Sequence, residues 1–429
     1  MNAFISHIIN LQENGHFKEV INEINIYEKK NSLSPELLNL KGVSLFFLHK
    51  YKESIEISQI AIYLLDKDKI DNNKLRIAIL NLNGLANHRL ANYNKSITSY
   101  KKVLKFDPSN LQTLLNLGLA YAQLGNKKKS IECFIKANQL DTNFTQAKDN
   151  LIKSLSYCSN INDESNLIIK AENKINKINF QYSKENLISN EMIFSIFKKQ
   201  NEIIDKYIKG ITINSIQTYR KEKLENLNCE RHKKIFYDYN IIPEYCFSCF
   251  KILIKPESII DLIKIYIIFD NLDLISKNER KCMIETRDKV EGVYKAFIYC
   301  KTIKESNEIL EIVKKLIKKN LGKNLNIEIK RGCSEYSKKF KDYKNLKKLF
   351  KYNPDWKKKE NENDIKYPYL KEDNSNRIVK NGPCIRDVLT IRNWLYFAFL
   401  NKDNTYSLVS SEIYKSQYLD RKFMTKLKS

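Results

Sequence analysis

LLNLGLAYAQLGNKKKSIECFIKANQLDTN, Leu114 to Asn143, is the stretch that decides the first half of the chain. It reads as two amphipathic helices, with Leu117-Gly118 and Tyr121 on the first and Phe134 and Ala137 on the second. Set against the residues before it, it recurs with a period of 34. Gly84 returns as Gly118, Ser96 as Ser130, Tyr100 as Phe134, and Phe106-Asp107 as Leu140-Asp141. Helix pairs repeated at that spacing bury their apolar faces only by stacking on one another, so three or more copies are needed.

A third copy starts near Pro35, with Gly42, Ser54 and Ala61 in register after an eight-residue insertion around Lys67–Leu75. A fourth, degenerate copy aligns Phe17 with Tyr51, and Gln146–Ser156 reads as the start of a capping helix. With Phe106-Asp107-Pro108 as the repeat-ending turn, residues 1–157 resemble the tetratricopeptide repeat (TPR) family. The resemblance implies a right-handed solenoid whose inner face, lined by the first helix of each pair, holds a peptide of a protein partner. Matching register places Asn39, Phe46, Asn81, His88, Gln112 and Leu115 on that face. The lining is mixed, without the Lys and Asn arrangement that would clamp a terminal carboxylate.

The chain has 429 residues, with 75 Lys and Arg against 50 Asp and Glu, a net charge of +25. Only 11 of the basic residues are Arg. A Lys, Ile, Asn, Tyr and Phe bias is that of AT-rich coding sequence and inflates Lys on any solvated face, whereas nucleic-acid readers lean on Arg. The excess is spread along the chain, apart from Lys338–Lys351 and Lys357–Lys359, so a solvated surface and an anionic partner both remain open. No stretch of about 18 uncharged apolar residues is present, so no membrane span is expected. The first 15 residues lack a basic start and a long apolar centre. The expectation is a cytoplasmic protein with nine reduced or metal-bound cysteines.

Past the repeats, residues 158–228 read as bridging helices, Ile161 to Thr218 keeping three- and four-residue apolar spacing. Then the period switches to two. Phe250, Ile252 and Ile254 mark a strand, Glu257–Asp270 a helix, Lys281–Arg287 and Tyr294–Cys300 two strands, Glu305–Asn320 an amphipathic helix, and Leu325–Cys333 a last strand. That β-α-β-β-α-β order, in a domain spanning 229–335, predicts a four-stranded antiparallel ferredoxin-like sheet. The fold class expected for the whole is α+β multidomain: an all-α solenoid, then this domain with helical and loop extensions. Residues 336–429 form a basic, aromatic extension with one amphipathic helix from Ile385, ending in about 25 loose residues.

On that topology Cys246, Cys249, Cys282, Cys300 and Cys333 fall at one edge of the sheet. Upstream stands Cys229-Glu230-Arg231-His232, so the line reads C-x2-H-x13-C-x2-C. Two close pairs separated by about a dozen residues are how a chain wraps a tetrahedral ion. Cys229, His232, Cys246 and Cys249 are therefore expected as a structural Zn2+ set, with Cys282, Cys300 and Cys333 in reserve. An iron–sulfur cluster and plain buried thiols are the alternatives. Arg287, Arg331 and Arg386 are read as anion contacts or structural ion pairs, and Phe250, Tyr294, Phe297 and Tyr299 as core or base-stacking rings. No P-loop, H-E-x-x-H or G-x-S-x-G is present. The function expected is a cytoplasmic interaction scaffold with a protein or peptide in the repeat groove. An enzyme at the cysteine edge, or an RNA-binding protein using the basic second half, stands as the alternative.

Overall fold

The structure, a computed structural model, describes residues 2–158, 161, 163, 165–178, 186–221, 227–287, 290–346, 350–371, 378–379 and 381–421. The first elements are α1 (Asn2–Glu13), α2 (Phe17–Glu28), α3 (Pro35–Phe47), α4 (Tyr51–Lys67), α5 (Asn73–Arg89), α6 (Tyr93–Phe106), α7 (Leu111–Gln123), α8 (Lys127–Leu140) and α9 (Thr145–Leu155). Next come α10 (Leu167–Ile175), α11 (Asn190–Ile208), β1 (Gln217–Arg220), α12 (Cys229–Tyr239), β2 (Phe250–Lys255) and α13 (Ile259–Asn271). The last are β3 (Arg280–Ile284), β4 (Tyr294–Cys300), α14 (Ile303–Leu321), β5 (Asn326–Arg331), α15 (Trp356–Lys366), α16 (Pro368–Lys371) and α17 (Ile385–Leu400). The chain divides into two compact units, one of residues 1–151, 228–231 and 358–375, the other of 152–227, 232–357 and 376–429.

In the first unit α1 to α8 form successive helix pairs. Side-chain caps start many of them: Ser34, Asn72, Asn110 and Asn126 each accept from a backbone N–H three residues on, worth about 1 kcal/mol apiece. The eight-residue insertion is absorbed by longer helices, α4 and α5 reaching 17 residues where α7 and α8 have 13 and 14. Glycine marks where the two helices of a pair cross. A Cβ on Gly118 would stand 2.5 Å from the buried Phe134 ring, and one on Gly84 would meet Tyr100 as closely. The Tyr100 ring also packs on Leu117, Ala120 and Tyr121 of the next pair, so one side chain closes both contacts.

The second unit is built on a five-stranded antiparallel sheet in the order β1-β3-β4-β2-β5. Helix α13 opens with a capping box, Ser258 and Asp261 bonding reciprocally to backbone N–H groups. It is buried on nearly every side, as is α17. Together with α14 these helices pack on the sheet. Polar residues of α17 tie it to its surroundings: Asn393 Nδ2 donates to the carbonyls of Ile213 and Ser215, Trp394 Nε1 to that of Ile216, and Arg392 to Asn201 and Asp205.

Three expectations need correction. The sheet has a fifth strand, β1, inside the stretch read as wholly helical; it pairs with β3 from Gln217↔Met283 to Arg220↔Arg280. Residues 229–239, at the head of the domain expected to run β-α-β-β-α-β, form an additional helix, α12, whose His232, Ile235 and Phe236 are buried. The end of the chain is not loose as far as it is described. Val409 and Leu419 are fully buried, Asp403 accepts from Ile259 N at 2.6 Å and Tyr294 Oη at 2.7 Å, and Tyr396 Oη donates to Asp420. Residues 422–429 of that tail, and 347–349 and 372–377 of the basic extension, lie outside the described residues.

Candidate functional site

Helices α1, α3, α5 and α7 are the first members of their pairs and lie side by side. Of the six residues expected on their inner face, Asn39, Phe46, Asn81 and His88 are half-buried and Gln112 is exposed. Leu115 is buried at 4 % exposure and belongs to the core, a correction. Asn81 Oδ1 accepts from Thr113 Oγ1 at 2.8 Å, bonding one repeat to the next. Phe46 sets its ring edge-on to Tyr51 at 5.3 Å, and His88 does the same to Tyr93 at 5.2 Å. One helical turn beyond Asn39, Asn81 and Leu115 stand Val43, Leu85 and Leu119, half-buried on the same face. They are an aliphatic ladder that the same register plus four would have found. Three polar atoms here are enclosed without a hydrogen-bond partner: Asn39 Oδ1, His88 Nε2 and Gln123 Oε1.

Part of the chain's own extension belongs to this unit. The Tyr369 ring lies 4.7 Å under the Arg89 guanidinium and Tyr367 packs edge-on to His49 at 5.8 Å. Arg231 pairs with Asp364 and Glu360, and Asn228 Nδ2 donates to the Leu370 carbonyl.

Burial, aided by the Arg89 charge, lowers the His88 imidazole from 6.5 to about 4. The unfolded chain binds this proton below about pH 6.5, and the folded one only near 4. The repeats should therefore lose up to about 3 kcal/mol as pH falls through that window. His88→Phe, which keeps the ring contact with Tyr93, is expected to flatten that part of the pH–stability curve in urea titrations. Equal slopes for variant and parent would show that His88 does not titrate there.

A family model described as TPR repeat matches residues 84–125, and one described as tetratricopeptide repeat matches 111–157. These residues are tetratricopeptide repeats. Among solved structures, the TPR segment is similar to MamA from Desulfovibrio magneticus RS-1, at 18% identity and TM-score 0.32 over 36% of this chain and 82% of that one. YrrB, a TPR protein with an unusual peptide-binding site, matches at 19% and 0.29 over 32% and 67%. The Hsp90 co-chaperone Cns1 from Saccharomyces cerevisiae matches at 18% and 0.26 over 27% and 36%. No curated protein matches the chain.

In the unit that follows the TPR segment, the thiols expected at one sheet edge are only partly brought together. Phe250 faces Cys300 across β2 and β4, and the Cys249 carbonyl accepts from Gly332 N at 2.7 Å, which sets Cys249, Cys300 and Cys333 at the same end. Cys246 Sγ lies 3.5 Å from Tyr336 Oη, and the Lys251 ammonium 3.6 Å from Cys333 Sγ. Cys282 stands apart. It faces Ala296, four residues down β4 from Cys300, or about 13 Å along the strand. The set of Cys229, His232, Cys246 and Cys249 is not assembled either. His232 is buried with its ring stacked on Tyr245 at 5.2 Å, and among the described residues no group of three or more His, Cys, Asp or Glu is arranged to hold a metal ion. Burial pushes the Cys300 thiol up to about 12 and raises those of Cys282 and Cys384, so these are protonated thiols at neutral pH and poor nucleophiles.

A buried polar knot in this unit escaped sequence reasoning. Arg220, at 2 % exposure, donates to Asp270 at 2.5 Å, to Asp387 at 2.8 Å, to Tyr266 Oη at 2.8 Å and to the carbonyls of Tyr219 and Gly382. Tyr266 Oη also donates to Asp387, and Gly382 N to Asp270. Beside it, burial pushes the Glu172 carboxyl up to about 7 while it accepts from Ile385 N at the start of α17. Every donor of the knot is used internally, which makes it a structural clasp. Of the arginines singled out in the sequence, Arg287 pairs with Glu285 and Glu335, Arg386 bonds Tyr157, and Arg331 lies over Phe250.

Proposed function

We propose that the chain is a cytoplasmic interaction protein whose TPR segment holds an extended peptide of a protein partner along the inner face of α3, α5 and α7. The supporting observation is the trio of unpartnered atoms, Asn39 Oδ1, His88 Nε2 and Gln123 Oε1, on successive repeats beside the ladder of Val43, Leu85 and Leu119. A buried polar atom without a partner costs about 1–3 kcal/mol, and a peptide backbone supplies the missing donors and acceptors at regular spacing. The nine cysteines are all free, which suits a reducing compartment. The second unit reads as a ferredoxin-like module, a reading supported by the order of β3, β4, β2 and β5 with α13 and α14 as crossovers.

The test is a peptide array probed with the full chain, followed by titration of its best peptides. Leu85→Glu, which puts a charge into the ladder, should weaken binding at least tenfold, and Asn39→Ala severalfold. Peptides whose affinity neither variant changes would place the binding surface elsewhere.

A further inference from the structure

Helices α13, α14 and α17 pack on one face of the five-stranded sheet; the other carries no helix among the described elements. Register and alternation fix what stands there. Three rows run across the strands: Tyr299–Lys251–Lys330, then Tyr219–Lys281–Phe297–Leu253–Glu328, then Gln217–Met283–Lys295. Lysines of four strands thus share one face with three aromatic rings. Their charges lie on those rings. Lys281 is 5.3 Å from the centroid of Phe297 and 5.9 Å from that of Tyr219, Lys330 is 5.6 Å from Phe297, and Lys251 is 5.1 Å from Tyr299. Lys295 is committed to buried Glu285. Lys251, Leu253, Met283 and Phe297 are buried, whereas Tyr219, Lys281, Tyr299 and Lys330 keep part of their surface in solvent.

The lysines crowd one another. Burial and the neighbouring charges of Lys251 and Lys295 bring the Lys330 ammonium down to about 8. Glu279, which feels Lys251 and Lys281, and Glu328, which acts on Lys330, offset part of that repulsion, and a further anion seated at Lys281 and Lys330 would relieve more of it. The overall Lys count could not distinguish a partner from compositional bias; the placement can. Lysines scattered by composition have no reason to line up on three strands over aromatic rings, whereas phosphates beside planar bases match both components. From β1 to β5 the face spans four strand spacings, about 19 Å, room for a short run of nucleotides.

We propose that this sheet face binds single-stranded nucleic acid, Tyr219 and Tyr299 stacking bases while Lys281 and Lys330 meet the phosphates. This site is separate from the peptide groove proposed above and does not depend on it.

The experiment is fluorescence anisotropy of the full chain with a labelled ten-nucleotide single-stranded RNA of mixed sequence, across a salt series. Lys281→Gln with Lys330→Gln should weaken binding and flatten the log–log salt slope by about 1.4, two phosphates at about 0.7 each. Tyr299→Leu should weaken binding about tenfold while leaving the slope unchanged, because stacking releases no counterions. Circular dichroism confirms that each variant is folded, and Lys338→Gln, in the segment that follows β5, serves as a charge control. No binding by the parent chain overturns the proposal. So does equal weakening by the Lys338 control, or a preference for duplex RNA of the same length.

Discussion

Gly118→Leu is expected to unfold the repeat unit at temperatures where the parent chain is intact. In a helix interior, replacing Gly by Ala gains about 1 kcal/mol of propensity. At Gly118 that gain is outweighed, because the new Cβ would lie 2.5 Å from a Phe134 ring that is 1 % exposed and has nowhere to go. Overpacking of this kind costs about 1–3 kcal/mol for a methyl group and more for Leu. A graded series follows from the same geometry. Gly42→Ala, whose Cβ would stand 3.0 Å from the end of the Leu82 side chain, should cost least, and Gly84→Ala and Gly118→Ala more. Phe134→Leu should partly rescue Gly118→Ala. Thermal melts by circular dichroism read the order directly; a Gly118→Ala variant more stable than the parent would mean the helix pair can open at no cost.

The second large effect is expected at Arg220. Arg220→Met removes the cation and leaves Asp270, Asp387 and the Tyr266 hydroxyl facing one another in the core. Breaking a buried ion pair from one side costs about 3–5 kcal/mol, since the remaining carboxylates stay desolvated. Arg220→Lys should recover little, because a point ammonium cannot supply the five contacts that the guanidinium fork makes. Combining Arg220→Met with Asp270→Asn and Asp387→Asn should restore much of the loss. The readout is the urea midpoint of the second unit. A single Arg220→Met variant within 1 kcal/mol of the parent would show that the clasp is dispensable.

The repeats were legible because each is a local solution restated every 34 residues, so Gly84 and Gly118 announce the same crossing twice. The sheet was legible where alternation was long, as in Phe250–Lys255 and Tyr294–Cys300. Strand β1 was not, because Gln-Thr-Tyr-Arg carries too short a pattern, and its place is set by Arg220 reaching residues 50 and 167 positions away. Cys282 was assigned to the wrong level for a related reason. Where a residue stands along its strand depends on pairing register, and Cys282 lies in the middle of β3. Docking of the tail rests on single apolar side chains, Val409 and Leu419, which leave no periodic trace. The groove was half legible: register gave the face, but only packing separates a core leucine, Leu115, from the half-buried ladder one turn on.

The clasp also orders events during synthesis. Each TPR pair closes on residues just before it and can assemble as the ribosome delivers it. The second unit cannot finish that way. Glu172 waits for Ile385, 213 residues later, Arg220 for Asp387, and Asn201 for Arg392. At about 5–20 residues per second, Arg220 and Glu172 spend on the order of ten seconds or more without the helix that covers them. Over that interval the nascent chain carries stacked repeats, which gain residues 358–371 only late, followed by an incomplete α/β unit that exposes apolar strands. A message broken before codon 385 would therefore yield a stable amino-terminal half joined to a stretch prone to aggregation and to capture by chaperones.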